Sequence, residues 1–230
     1  MPDTAKNSVP VCPVGEAQCP IIDKLIQAHT ENLELSELVR TDTLTGLFNF
    51  RHFSSSLENE MERSRRTLLP TGLIIVDLDH FKKVNDTWGH DTGNEALIQT
   101  AELMRRFLRK IDIACRYGGE EFAIILPSTD LHTSLQVAER LRAAIEEKPL
   151  ISGDNTIKLN ASMGVDIFKG HEGDSPQQFI KRTDGLLYQA KNEGRNRVCG
   201  ANYETPEAAT QVSHEEKDAL FGLFNDDQEN

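Results

Sequence analysis

Residues 72–78 read Gly-Leu-Ile-Ile-Val-Asp-Leu, an apolar run of strand length that closes on an acid, with a second acid following at Asp79. Such a run predicts a buried strand. A carboxylate at its end emerges where the sheet meets solvent, a position from which it can hold a hard cation such as Mg²⁺. Side-chain alternation sends Asp77 and Asp79 to the same face. Acids that merely end a strand give the same pattern, so the run constrains the fold more firmly than the chemistry.

The rest of the chain supplies partners for that strand. Residues 94–109 carry Ala96, Leu97, Leu103, Phe107 and Leu108 on one side of a helix. Residues 132–147 repeat the pattern with Leu135, Ala138, Leu141 and Ile145, and residues 176–192 form a third long helix. Residues 113–117 lead into Gly118-Gly119 and residues 121–126 leave it, which predicts a hairpin on a glycine turn. Residues 157–168 and a short segment around Val198 add strands. The order strand, helix, hairpin, helix, strand, helix, strand predicts an α+β domain over residues 42–200, its sheet carrying helices on one face.

Both flanks differ from this pattern. Residues 1–20 hold four prolines and a glycine without apolar periodicity and are read as a flexible or locally bound leader. Ile21, Leu25, Ala28, Asn32, Leu35 and Val39 keep a 4-3-4-3-4 spacing, which predicts a helix over residues 21–41, either a dimerisation seam or a helix packed on its own domain. Residues 201–230 are acidic and are read as a tail; Leu220-Phe221-Gly222-Leu223-Phe224 within it suits a docking peptide or a returning helix.

Composition narrows the function. A chain of 230 residues, 38% hydrophobic and 27% charged, buries one ordinary core. Its formal net charge of −12 argues against nucleic acid or an anionic membrane as a partner, so a nucleotide ligand would need local cations or a metal. No apolar stretch approaches the roughly 20 residues that span a bilayer, and residues 1–10 lack a signal-peptide core, which predicts a cytoplasmic protein. Cys12, Cys19, Cys115 and Cys199 are too few and scattered for a disulfide scaffold and are expected to be reduced. Cys12 and Cys19 amount to half a zinc site, with His29 as a third ligand only if the chain folds back.

The chemistry concentrates in Arg116-Tyr117-Gly118-Gly119-Glu120-Glu121-Phe122, a tight turn carrying two acids between apolar strands. Paired glycines let the backbone approach a phosphate, but phosphates repel acids unless a divalent ion lies between them. With Asp77, the turn offers the carboxylate cluster of a two-metal phosphoryl-transfer site.

The sequence here resembles the GGDEF diguanylate cyclases. GGEEF at 118–122 is a form of the signature, and companion motifs match in order: DTLTGLFN at 42–49, DLDHFKKVND at 77–86, Gly89-His90, and AKNEGRN at 190–196. The resemblance covers about residues 40–200. It implies a ferredoxin-like palm that condenses two GTP into cyclic di-GMP and two pyrophosphates, with Mg²⁺ or Mn²⁺ as cofactor. By position, Asp77 and Glu120 with the carbonyl of Leu78 match the metal ligands, and Glu121 an additional ligand or the group that assists deprotonation of the ribose 3′-hydroxyl. Lys82, Lys191 and Arg195 match phosphate contacts, Asn85 and Asn94 the guanine-reading positions; His90 is read as structural.

The same resemblance implies a homodimer, since each domain holds one of the two GTP molecules. Regulation would enter through the short N-terminal helix, the leader or a separate sensor protein. Arg109-Lys110-Ile111-Asp112, five residues before Gly118, matches the RxxD inhibitory site for cyclic di-GMP, and Arg140 a second arginine of that site. The family's commoner Gly-Asp is Gly93-Asn94 here, which puts the strictness of guanine selection in question. A domain that binds cyclic di-GMP or GTP without turnover is the alternative; the presence of every catalytic residue type argues against it.

Overall fold

The computed structural model describes residues 40–201 except 154 and 172, together with residues 22, 24–28, 30 and 31. The leader, with Cys12 and Cys19, and the acidic tail lie outside the described residues, as do His29 and residues 32–39. The segment at 22–31 is helical where described, and Leu25 of the expected seam is 51% exposed in the single chain. The helix predicted to reach residue 41 does not do so: Arg40 is not helical, and Thr41 bridges Phe48 in an extended conformation.

From there the elements run α1 (Phe50–Thr67), β1 (Thr71–Leu78), α2 (Phe81–Trp88), α3 (His90–Phe107), β2 (Ile113–Arg116), β3 (Glu121–Leu126), α4 (Leu131–Glu147), β4 (Leu150–Ser152), β5 (Asn155–Ile157), β6 (Ala161–Phe168), α5 (Pro176–Asn192) and β7 (Val198–Gly200). Five strands form one sheet in the order β2-β3-β1-β6-β7, antiparallel except for the β6–β7 pair, and β4 and β5 form a separate two-stranded ribbon. The α+β class is as predicted.

Local chemistry sets the helix starts. Asn49 and Asp130 accept main-chain N–H groups three residues on, at the starts of α1 and α4. Ser175 and Gln178 form a reciprocal capping box ahead of α5, with Pro176 at its first position.

The helices occupy both faces of the sheet, not one. Ile74, Val76, Phe122 and Ile124 pack under Leu97 and Met104 of α3 and Ala138 and Leu141 of α4. Leu73, Ile75, Ala123 and Ile125 pack under Phe53, Leu57 and Met61 of α1 and Phe179 and Leu187 of α5. β1 and β6 are buried at all eight positions, which is why residues 72–78 show no polar alternation.

The second layer depends on a close approach at Gly164 of β6, where a Cβ would run into the main chain of Thr183 and Leu187 in α5. Overpacking against immobile backbone costs about 1–3 kcal/mol. Gly164→Ala should therefore lower the unfolding free energy by that amount, read as a lower urea midpoint with no change in the slope of the transition.

Candidate active site

The end of β1 fixes the centre of the site. Asp77 pairs in register with Glu121 of β3 on one side and Ser162 of β6 on the other. The Leu78 N–H donates to the Glu120 carbonyl at 3.4 Å, carrying the pairing into the turn. The turn is drawn tight by the Glu121 carbonyl, which accepts from the N–H groups of both Tyr117 and Gly118 at 2.8 and 3.1 Å. A Cβ at Gly118 would collide with the Glu121 carboxylate, whereas at Gly119 it would meet open space. One glycine thus makes room for an acid, and the other leaves its outer side free.

Arg116 braces the turn from outside. Its guanidinium donates to the Gly119 carbonyl at 2.7 Å and pairs with Asp42 at 3.3 Å, while Asp42 accepts from the N–H and hydroxyl of Thr45 at 2.8 and 2.6 Å. The 42–49 motif is therefore a support for the hairpin.

Charge is crowded at the centre. Asp77 is 7% exposed and its carboxylate meets the Lys191 ammonium at 2.7 Å. Burial pushes its carboxyl above the usual range, and Lys191 counteracts this only in part. Glu120 and Glu121 are raised too, first by burial and next by the Asp77 charge; Asp184 of α5 adds to the effect on Glu121. Among the described residues, no three His, Cys, Asp or Glu side chains form a ready-made metal cage. The donor set nevertheless fits a hard divalent ion, because Mg²⁺ in nucleotide sites takes one or two carboxylates and fills its shell with phosphate and water.

Asp79 stays beside Asp77, as side-chain alternation predicts, and after burial its charge adds to the raised proton affinity of the Asp77 carboxyl. Its two oxygens accept from the Ser162 hydroxyl at 2.7 Å and the Asn196 N–H at 2.9 Å, and Ser162 is the residue paired in register with Asp77.

The two candidate base readers lie on an antiparallel helix pair. α2 ends at Gly89, whose φ of 86° reverses the chain into α3. Gly93 of α3 has no room for a Cβ because the Asn85 amide lies against it, and the exposed Asn94 is the next residue of α3. Lys82, one turn before Asn85, shares its face. Arg195 follows the end of α5 and lies near enough to favour the charged form of Asp77.

The candidate product site forms a second centre. Arg109 pairs with Asp112 at 3.0 Å and donates to the Thr129 hydroxyl at 2.8 Å. Arg140 of α4 donates to the Phe107 carbonyl at 2.8 Å, its guanidinium 5.7 Å from the centre of the Phe107 ring. The three residues thus surround the end of α3, beside a cavity of about 330 Å³ lined in part by Arg105, Arg109 and Asp112.

Residues 39–197 match the family described as diguanylate cyclase, GGDEF domain. The chain belongs to this family. It is 42% identical over 172 residues to the response regulator PleD of Caulobacter vibrioides, an alignment covering 74% of this chain and 38% of PleD. The chain therefore spans well under half the length of that relative. Among solved GGDEF structures it resembles the diguanylate cyclase SiaD of Pseudomonas aeruginosa, determined with its activator SiaC (TM-score 0.68, 36% identity, 79% of this chain and 70% of that one). It also resembles the coiled coil and GGDEF domain of DgcB from Caulobacter crescentus, in complex with c-di-GMP (TM-score 0.67, 29% identity, 79% and 97%).

Within this GGDEF domain the structure brings Asp77, Glu120, Glu121, Lys191 and Arg195 to one end of the sheet, and Asn85 and Asn94 to one helix pair. Motif reading alone had not assigned roles to Asp42, Arg116 and Asp184. An arginine flanking a glycine turn was a visible signal for the first two, and the seven-residue spacing from Asp184 to Lys191, which repeats one helix face, for the third. Among the described residues no helix is long and apolar enough to cross a membrane.

Proposed function

We propose that this GGDEF domain condenses two GTP molecules into cyclic di-GMP, releasing two pyrophosphates. The observation that carries the reading is the register of Asp77 with Glu121 across β1 and β3, which places three carboxylates with raised proton affinity around a glycine turn with an open outer side.

Asp77 and Glu120, with the Leu78 carbonyl, would hold Mg²⁺, and Mn²⁺ would serve in its place. The ion would supply charge neutralisation at the phosphates and a lowered proton affinity for the attacking hydroxyl. The Asp77–Lys191 ion pair has to open for Asp77 to accept a cation, which frees Lys191 for phosphate. Lys82, Lys191 and Arg195 bind the triphosphate in a protein that is otherwise acidic. Asn85 and Asn94 receive the guanine edge.

Glu121 accepts the proton of the ribose 3′-hydroxyl; a carboxylate raised by burial and neighbouring charge is better matched to that task near neutrality than a solvated one. The 3′-oxygen then bonds to the α-phosphorus of the second GTP, and the bond to pyrophosphate breaks. Two such steps close the ring, so each needs a GTP from each of two domains, and the active species is a homodimer.

The test of this step is pyrophosphate release from GTP. It should depend on added Mg²⁺, stop with chelator, and rise more steeply than linearly with enzyme concentration in the range where dimers dissociate. Metal-independent release would remove the assignment.

Cyclic di-GMP should act back on the domain through Arg109, Asp112 and Arg140. An Arg–Asp pair offers a bidentate donor to guanine or phosphate and an acceptor for guanine N–H groups. Arg109→Ala should raise the half-inhibitory concentration of cyclic di-GMP about tenfold or more, the effect of losing one charge-assisted contact. An unchanged inhibition curve would show that product acts elsewhere.

A further inference from the structure

The turn from α5 to β7 is anchored by residues to which the proposed reaction gives no role. Gly194, Arg195 and Asn196 follow one another at φ values of 115°, 64° and 47°. Side chains at positive φ are disfavoured, and two in succession persist only where their surroundings hold them.

The holding contacts come from three elements. The Asn196 N–H donates to Asp79 at 2.9 Å, and Asp79 is itself seated on β6 by the Ser162 hydroxyl at 2.7 Å. The Asn196 side chain is gripped by α4: its carbonyl accepts from Arg142 at 2.8 Å and its amide donates to Glu146 at 2.8 Å. Arg142 is braced in turn by Glu139 and Glu146, each at 2.7 Å. At the next residue, the Arg197 carbonyl accepts from the Met163 N–H at 2.9 Å. On the other side, the Arg195 N–H closes onto the Ala190 carbonyl at 3.0 Å. Arg195 therefore projects from a turn pinned immediately before and after it.

We infer that Asp79 and Asn196 form a latch that holds Arg195 in its phosphate-binding place, so that Asp79 is a positioning residue for the reaction and not a metal ligand. This rests on the phosphate role proposed above for Arg195. A carboxylate suits the task because a charged acceptor makes the stronger bond to a main-chain N–H. Displacing a substrate-binding side chain by even about an ångström is costly in rate, and loss of an orienting partner typically costs about 10- to 100-fold.

The test is a double-mutant cycle on the full chain with Asp79→Ala and Arg195→Ala, read as kcat/KM for GTP, alongside amide hydrogen exchange at Asn196. Asp79→Ala should lower kcat/KM about 10- to 100-fold, leave the Mg²⁺ concentration for half-activation unchanged, and speed exchange of the Asn196 N–H. Asp79→Asn should recover most of the activity, because its amide oxygen accepts the Asn196 N–H while its NH₂ donates to Ser162. Combined with Arg195→Ala, Asp79→Ala should add little further loss, since both act through the same guanidinium.

Full additivity, a raised Mg²⁺ requirement, or unaltered exchange at Asn196 would overturn the latch. Should Asp79→Ala unfold the domain, Ser162→Ala carries the same cycle, because it removes the hydroxyl that seats Asp79 and leaves the residues of the turn unchanged. Wild-type kcat/KM in Arg195→Ala alone would remove the phosphate role of Arg195 and with it the rate effect of the latch. The exchange measurement still reports separately whether Asp79 holds the turn.

Discussion

Glu120→Gln should abolish formation of cyclic di-GMP, lowering the rate by about 10²- to 10³-fold or more, the scale on which one preorganised charge contributes to a transition state. The substitution removes charge with almost no change in volume, and Glu120 sits in the turn, outside the buried core. Stability should move the opposite way. Burial and the Asp77 charge raise the Glu120 carboxyl, so its ionised form is disfavoured in the folded state. A folded-state value above the unfolded one means that the native state binds the proton more tightly, and the charge costs stability once the pH exceeds that value. Without metal, Glu120→Gln should therefore have a Tm at or above that of the unaltered protein at neutral pH. The difference should close as the pH falls below the ordinary glutamate value of about 4.3. Turnover near the original in saturating Mg²⁺, or a lower Tm at neutral pH, would contradict the role given to this carboxylate.

The second large effect is expected at Asn94. This side chain is exposed on α3, next in sequence to Gly93, against which the Asn85 amide lies. An aspartate in its place can accept from both N1–H and the exocyclic amine of guanine, a pairing adenine cannot offer; asparagine has one acceptor oxygen and a donor amide. The chain should therefore prefer GTP with weakened discrimination. Loss of one charge-assisted hydrogen bond corresponds to about 1.5–3 kcal/mol, or roughly 10- to 150-fold in recognition. Asn94→Asp should lower KM for GTP and suppress any use of ATP. Competition between GTP and ATP in one reaction, with the homo- and hetero-dinucleotides quantified, measures this directly. Identical product ratios for the two forms would show that residue 94 does not read the base.

Most of the sheet was legible because its strands are short, apolar and bounded by glycine or acid, as at 121–126 and 198–200. The long helix at 176–192 was legible in both its ends, since Ser175, Pro176 and Gln178 mark its start by their own chemistry. Two features were not. α1 places Phe53, Leu57 and Met61 in the core, but four serines and a run of charges dilute its periodicity, so its layer went uncounted and the sheet was expected to be covered on one face only. The strand expected from residue 157 begins at Ala161, because residues 155–157 pair with 150–152 in a ribbon that lacks the length to announce itself.

The site divides similarly. Asp77, Glu120 and Glu121 could be placed together from strand register alone. The partner of Asp79 could not, because it is an Asn196 N–H 117 residues away. The Asp77–Lys191 ion pair likewise joins β1 to the far end of α5, a contact that no local pattern encodes.

The central claim is that the carboxylates around the 118–121 turn convert GTP into a cyclic dinucleotide. The most direct measurement is to incubate the purified protein with Mg²⁺ and GTP and to identify the products by mass spectrometry, with Glu120→Gln and chelator as controls. The account predicts cyclic di-GMP with two pyrophosphates per product, absent from both controls. GTP recovered intact from the unaltered protein, or the same product from Glu120→Gln, would contradict it.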